Sequence, residues 1–208
     1  GFDRLEIVAV GQTIAGIGLL AANTVNIEAI GLAYSGDTTL VVNPRDVLDF
    51  SADDTLKNFD AVLFFTTGNP VNKEELNDLI AWVKKGGGFA GTHCATDTLY
   101  KNPEYGQLIG GYFDGHPWHK LVRLRLEDPR HPAAHGFSDG AEITDEIYQF
   151  QPVPYNRDRL HIIYSINNDS IDVSKGKRKD NDYAVSWCQK VGKGRSFYTS
   201  LGHLPQVW

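Results

Sequence analysis

Residues 110–119, GGYFDGHPWH, combine two histidines, one aspartate and three aromatic rings with three glycines. The glycines permit positive φ angles and close backbone approach, and Pro117 removes a backbone hydrogen-bond donor. This composition predicts a shaped polar loop, the kind of element on which functional sites commonly lie. Because His116 and His119 are three residues apart, both imidazoles can face one ligand. The alternative is a loop whose histidines make only local hydrogen bonds.

Further histidines and carboxylates stand in loops or at the ends of predicted strands: His93, Asp145, Glu146 and His203. Such side chains together make either a metal site or an acid–base site. A catalytic zinc site needs three protein ligands and one open position. The predicted ligands of a divalent cation such as zinc are His116, His119 and His203.

An acid–base site needs one group that titrates near neutral pH and a second group that orients it. The predicted catalytic residues are His93, His116 and Glu146. Simpler roles stay open for two neighbours: Asp145 can cap a following segment, and His203 can donate to a buried carbonyl. The other three histidines are predicted to lie in turns or at strand ends: His131, His135 and His161.

Aromatic and acidic side chains near these groups suit a sugar. Flat rings pack against the CH face of a sugar, while carboxylates accept hydrogen bonds from its hydroxyls. The predicted substrate-binding residues are Asp97, Tyr112, Asp114, Trp118 and Tyr148. These residue types suit a small carbohydrate as a ligand.

Strand and helix patterns alternate along the chain. Apolar runs predict strands at residues 5–10, 39–43, 60–65, 89–92, 121–126, 160–165, 183–188 and 195–200. Helices are predicted at about residues 23–34, 72–85 and within 98–108. The helix at 72–85 has the clearest signals: Asn72 and Glu75 form a capping box, and one apolar face recurs at helical spacing. That face consists of Leu76, Leu79, Ile80 and Val83.

This alternation predicts an α/β fold, a doubly wound and mostly parallel sheet with helices on both faces. Ligands of such sheets bind at the carboxyl ends of the strands. His93 follows the predicted strand at 89–92 directly, and so falls at such an end.

Five blocks of the chain resemble the trehalose-utilisation, or ThuA-like, family. They are GGGFAGTHCATDTLY (86–100), LIGGYFDGHPWH (108–119), DPRHP (128–132), DEIYQF (145–150) and GKGRSFYTSLGH (192–203). The resemblance runs in order from about residue 60 to residue 208. It implies one domain over residues 1–208, with a flavodoxin-like fold similar to the class I glutamine amidotransferases, and a role in bacterial sugar metabolism.

The chain departs from the amidotransferase pattern at the nucleophile. Those enzymes carry a catalytic cysteine as G-x-C-x-G, but here the position two after Gly91 is His93, and Cys94 comes one residue later. We therefore expect no glutamine amidotransferase activity, and predict Cys94 to be a small buried side chain. The loop after the first strand also lacks the Arg-His pair that relatives carry.

Two hypotheses about function follow. The first is an enzyme that hydrolyses, eliminates or isomerises trehalose, a related disaccharide or a keto-sugar through a His/carboxylate site, with or without a metal. The second is a non-catalytic carbohydrate-binding or regulatory module on the same fold. Fold alone does not separate the two.

The composition is that of an ordinary globular domain, with 41% hydrophobic and 22% charged residues among 208. A net charge of −6, with one basic run at residues 175–179, disfavours nucleic-acid binding. That run is predicted to be a solvated loop. No apolar run is long enough to span a membrane, and two cysteines do not make a disulfide framework. These features predict a cytoplasmic protein and leave a homo-oligomer open.

Overall fold

The structure is a computed structural model, and it describes residues 4–11, 37–44, 56 and 59–207. The strands of these residues form one sheet in the order β2-β1-β3-β4-β9-β8-β7-β5-β6. They are β1 (Arg4–Gly11), β2 (Asp37–Pro44), β3 (Ala61–Phe65), β4 (Gly88–Thr92), β5 (Trp118–Leu126), β6 (Glu142–Ile147), β7 (His161–Ile166), β8 (Ala184–Val191) and β9 (Gly194–Thr199).

The sheet is mixed. Strands β2, β1, β3, β4 and β9 pair in parallel, whereas β8, β7, β5 and β6 join by antiparallel pairs. The α/β class is confirmed, but the prediction of a mostly parallel sheet is wrong for the described residues. The physical reason is the connections: after β5 the strands follow one another through loops without an α-helix, and antiparallel strands need no helical crossover.

Two α-helices lie in the described residues, α1 (Lys73–Lys85) and α2 (Pro103–Ile109). They contact one another and both contact β9, so they share one face of the sheet. Helices on both faces and the doubly wound arrangement stay predictions, and the predicted helix at residues 23–34 lies outside the described residues. Neither described helix is long and apolar enough to cross a membrane.

The predicted signals of α1 are confirmed. The Asn72 side chain accepts hydrogen bonds from the backbone N–H groups of Glu74 and Glu75, and the Glu75 carboxylate accepts from the Asn72 N–H at 2.6 Å. Gly86 ends the helix with a φ of 139°, a conformation that favours glycine. The predicted apolar face is buried.

Two hydrophobic clusters flank the sheet. The first joins the inner face of α1 with α2 and the rings of Tyr105, Trp187 and Tyr198. The second is built by β5 to β8 and includes Trp118 and Tyr183. Neighbouring residues of one strand point to opposite faces. Strands β7 and β8 therefore contribute side chains to both clusters, one cluster on each face of the sheet.

We expect Leu79→Ala to lower the free energy of unfolding by about 2–5 kcal/mol, because Leu79 is fully buried in α1 and its loss leaves a cavity. Denaturant unfolding measures this. Asn77→Ala, at an exposed position of the same helix, is the control and should change stability by less than about 0.5 kcal/mol. Equal effects of the two substitutions would contradict the packing of α1.

Candidate functional site

Glu146, on β6, lies at the centre of the predicted site residues. Its side chain is almost buried, with 8% exposure for the whole residue. Oε1 is 3.1 Å from Nε2 of His119 and 3.5 Å from Nδ1 of His116. Oε2 is 3.2 Å from Nε2 of His93 and 3.6 Å from Nδ1 of His203. The structure thus brings the four predicted histidines together around the carboxylate of Glu146.

His93 is fixed by its place in the parallel half of the sheet. Thr92 of β4 pairs with Thr199 of β9, so the residues that follow them, His93 and Ser200, are neighbours. The Ser200 carbonyl lies 2.7 Å from Nδ1 of His93. A carbonyl only accepts hydrogen bonds, so Nδ1 carries the proton. In the neutral ring Nε2 is then bare, and the Tyr148 hydroxyl can donate to it at 2.9 Å.

His119 reaches Glu146 because the two residues stand directly opposite each other in the antiparallel pair of β5 and β6. Directly paired residues on one face of a sheet have their Cβ atoms only about 4.5–5.5 Å apart. His116 lies in the preceding loop, where Gly115 has a φ of 115°. Its Nδ1 is 2.9 Å from Nε2 of His119. Both rings are about half-exposed, so this side of the cluster faces solvent.

Asp145 positions the segment that carries His203. The buried Asp145 carboxylate accepts hydrogen bonds from the backbone N–H groups of Gly202, His203 and Leu204 at 2.8, 3.4 and 3.1 Å. The sequence suggested Asp145 as the cap of a following segment. In the structure, Asp145 instead binds the backbone of the segment that follows β9. The His203 ring in this segment lies beside Glu146.

The charge of Glu146 is set by its histidine neighbours. Burial alone would raise the pKa of this carboxyl. A hydrogen bond from His93, which forms when Nε2 of that ring also carries a proton, and the charges of His116 and His203 outweigh burial, so the pKa lies below the ordinary value. The carboxylate is therefore ionised at neutral pH. An ionised, nearly buried carboxylate stabilises a positive charge beside it, whether a proton on an imidazole or a cation.

Two of the predicted substrate-binding residues lie away from the cluster. Trp118 is 3% exposed and packs against Tyr183 in the second core. It neighbours His119 on β5, so the two side chains point to opposite faces. Tyr112 is 6% exposed, and its hydroxyl donates to loop carbonyls, including that of Asn102 at 2.6 Å. Both predictions are corrected: these rings support the loop and do not line the site.

The other three predicted substrate-binding residues lie beside the cluster or beside the loop of residues 110–119. Tyr148 contacts the His93 ring with 4.4 Å between centroids. Asp97 is 2.8 Å from the Tyr100 hydroxyl, which also lies 3.1 Å from the carbonyl of Phe113 in the loop. Asp114 forms an ion pair with Lys177 at 2.9 Å.

Several positioning contacts were not predicted from the sequence. Phe113 stacks on His116 with 5.6 Å between ring centroids. Lys177 belongs to the basic run predicted to be solvated. Its side chain is exposed, as predicted, and its Nζ also lies 2.9 Å from both the carbonyl and Oδ1 of Asp114. That loop therefore braces the loop of residues 110–119. No sequence signal links positions 63 residues apart.

The nitrogen and oxygen atoms of the cluster form two candidate ligand sets. One set is His116, His119 and Glu146, and the other is His93, Glu146 and His203. Within each set the ligand atoms lie within 4.8 Å of one another. Imidazole and carboxylate groups suit zinc and other first-row divalent cations. The same groups can also exchange protons with a substrate.

Cys94 has no role in this cluster. It is 5% exposed, and burial raises the pKa of its thiol to about 12. The thiolate is the nucleophilic form of cysteine, so this side chain is poorly suited to cysteine catalysis. The prediction of a small buried side chain is confirmed.

We expect iodoacetamide at pH 8 to alkylate Cys94 of the native protein roughly 1000-fold more slowly than in the unfolded chain, because its thiolate fraction is low. Mass spectrometry of the cysteine peptides measures this. Cys188, which is partly exposed, is the internal control and should be labelled first. Native Cys94 labelled as quickly as the unfolded chain would show that the thiol is accessible and ionised.

Asp145→Asn should loosen the segment of residues 202–204, because the new amide places N–H donors against backbone N–H groups. The expected loss of stability is about 1–3 kcal/mol, with faster hydrogen exchange of these amides. Glu142→Gln, at an exposed position of β6, is the matched control. Unchanged exchange in Asp145→Asn would contradict the anchoring role.

Comparisons with known proteins agree with this structure. The family described as "ThuA: Trehalose utilisation" matches residues 19–208. A ThuA-like protein of Bacteroides uniformis has a similar fold, with a TM-score of 0.67, 17% identity, and coverage of 99% of this chain and 84% of that one. A second ThuA-like protein, from Parabacteroides merdae, has a TM-score of 0.64 and 19% identity, with coverage of 96% of this chain and 79% of that one.

A cytoplasmic protein of Salmonella typhimurium is also similar, with a TM-score of 0.60, 16% identity, and coverage of 94% of this chain and 87% of that one. Comparison with curated protein sequences gave no significant match. At these identities the solved structures inform the fold alone, whereas the family match covers most of the sequence. The chain therefore belongs to the ThuA, trehalose-utilisation, family.

Proposed function

We propose that the protein is an enzyme of sugar utilisation that acts on a disaccharide or keto-sugar at the Glu146 cluster. The observation that carries the proposal is the convergence of four histidine nitrogens on one nearly buried, ionised carboxylate. A structural ion pair needs one partner, and four imidazoles around one carboxylate exceed that need. Perturbed charge clusters of this kind concentrate at functional sites. The family match supports a sugar as the ligand.

The exposure of the cluster gives its parts different roles. Glu146 and His93 form its floor, while the half-exposed rings of His116, His119 and His203 form its rim. A substrate approaching from solvent meets the rim first. We assign proton exchange with the substrate to the rim, and to Glu146 and His93 the charge and orientation that support it.

A keto-sugar suits this arrangement chemically. The carbonyl acidifies the hydrogen on the neighbouring carbon, so a base at the rim can remove that proton and leave an enediolate. An imidazolium beside Glu146 stabilises the oxyanion, and a divalent cation such as zinc, if held there by the same residues, would supply the same positive charge. In elimination, the electron pair of the enediolate then breaks the bond to the glycosidic oxygen, which takes up a proton from an imidazolium at the rim; addition of water to the product gives net hydrolysis. In isomerisation, the proton returns to the former carbonyl carbon.

The rings next to the cluster suit a sugar substrate. Phe113 lies against both His116 and Tyr148, and Tyr100 is partly exposed beside the same loop. Flat rings next to polar groups pack on the CH faces of sugars. Burial strongly raises the pKa of Tyr148, so its phenol keeps its proton and remains a hydrogen-bond donor. The cytoplasm stays the predicted location.

Glu146→Gln tests the proposal. The amide keeps the shape of the side chain but removes the charge, so turnover of 3-keto-trehalose should fall by about 100-fold or more. His116→Ala should cause a loss of similar size. Initial rates with trehalose, 3-keto-trehalose and related glycosides, with and without divalent cations, measure this.

Two variants serve as controls and should keep the parent's rate: Cys94→Ala and Glu142→Gln. Undiminished turnover in Glu146→Gln would contradict the catalytic role of the cluster. Tight sugar binding by the parent without turnover of any compound would instead favour the carbohydrate-binding module. An inactive Cys94→Ala beside an active His116→Ala would restore cysteine chemistry.

A further inference from the structure

The two oxygens of Glu146 divide the four histidines into pairs. Oε1 faces His116 and His119, whereas Oε2 faces His93 and His203. Each oxygen and its pair of nitrogens form a separate candidate ligand set. We propose that the cluster binds two divalent first-row cations, one on each oxygen, so that the Glu146 carboxylate bridges them.

In the first set, no placement of protons on the two histidines makes all three contacts between the ligand atoms favourable. The three ligand atoms lie 2.9, 3.1 and 3.5 Å apart. If neither nitrogen carries a proton, all three contacts join acceptors. If only one of the two nitrogens is protonated, the other nitrogen and Oε1 of Glu146 are still two acceptors in contact. If both nitrogens are protonated, two N–H groups oppose each other. A cation at the centre makes all three contacts favourable at once.

The spacing of the first set also agrees with a cation. Zinc binds nitrogen and oxygen ligands at about 2.0–2.2 Å, so neighbouring ligands of a tetrahedral ion lie ~3.3 Å apart. The observed separations of 2.9, 3.1 and 3.5 Å lie on both sides of that value. His116 and His119 are half-exposed, and therefore the fourth position opens toward solvent and substrate.

In the second set, His93 is already in the tautomer that a metal ligand needs. Nδ1 donates to the Ser200 carbonyl, so Nε2 carries the lone pair. It lies 3.2 Å from Oε2 of Glu146, and a cation there would take the place of the hydrogen bond from the Tyr148 hydroxyl. Metal-ligating histidines usually donate their other N–H to a carbonyl or carboxylate in this way. Asp145 holds the backbone of His203, so that the second imidazole is kept within 3.6 Å of the same oxygen.

Two cations on one carboxylate imply a definite chemistry. Paired cations in enzymes lie about 3.5–4 Å apart and polarise an oxygen placed between them. Here the ligand would be the carbonyl or a hydroxyl oxygen of a sugar. This inference rests on the proposed function for its location and ligand class, but the number of cations can be counted without any substrate.

The test is the zinc content of the chain. The protein is stripped with a chelator, dialysed against zinc, desalted and measured by atomic emission. About two zinc ions per chain are expected for the parent and for His135→Gln, a substitution at an exposed histidine outside the cluster. About one is expected for His119→Gln and for His203→Gln, and none for Glu146→Gln.

One or no zinc ion in the parent would overturn the two-cation site, as would two ions retained by either single-histidine variant. Both of those histidines are half-exposed, so their variants fold even if Glu146→Gln does not. Electron paramagnetic resonance of the manganese-loaded parent should show two coupled ions, and a spectrum of isolated ions would contradict the bridge. Turnover by a parent with fewer than two cations would uphold the proposed function and overturn this inference.

Discussion

Burial of the Glu146 charge is the constraint on which the rest of the site depends. An ionised carboxylate removed from water is costly unless positive or hydrogen-bonding partners compensate it. Four imidazole nitrogens lie within 3.6 Å of its two oxygens. These nitrogens offset the cost of burying the charge only when protons or cations lie between them and the carboxylate oxygens. The cluster is therefore a place that collects positive charge, which is what both proton transfer and Lewis-acid chemistry require.

The mixed sheet explains how four distant segments reach one carboxylate. In the parallel half, β4 and β9 are neighbours and end at the same edge of the sheet. His93 and the segment that leads to His203 therefore both lie at that edge. The antiparallel half places His119 opposite Glu146. Contacts outside the cluster then orient its members: the Ser200 carbonyl fixes one ring, and Asp145 holds a loop. Such supporting contacts decide whether a site keeps its geometry.

The sequence predicted α1 and most strands of the sheet because their periodic burial is local. It also predicted that His93, His116, His119, Glu146 and His203 meet, since loops at strand ends share one edge. Strand β6 was missed: its sequence, EITDEI, contains adjacent carboxylates that disfavour a strand. Those carboxylates serve the site, and sites are where local preference is most often violated. The position of Trp118 was predicted wrongly because the predicted strand began at residue 121. Since β5 begins at Trp118, the side chains of Trp118 and His119 point to opposite faces of the sheet.

Anomalous diffraction from crystals grown with zinc tests most directly whether Glu146 holds cations between its oxygens and the histidines. We expect two peaks, one bound by Oε1 with His116 and His119, and one bound by Oε2 with His93 and His203. Each should lie about 2.0–2.2 Å from its ligand atoms. Zinc peaks elsewhere on the protein, with none bonded to Glu146, would contradict this description of the site.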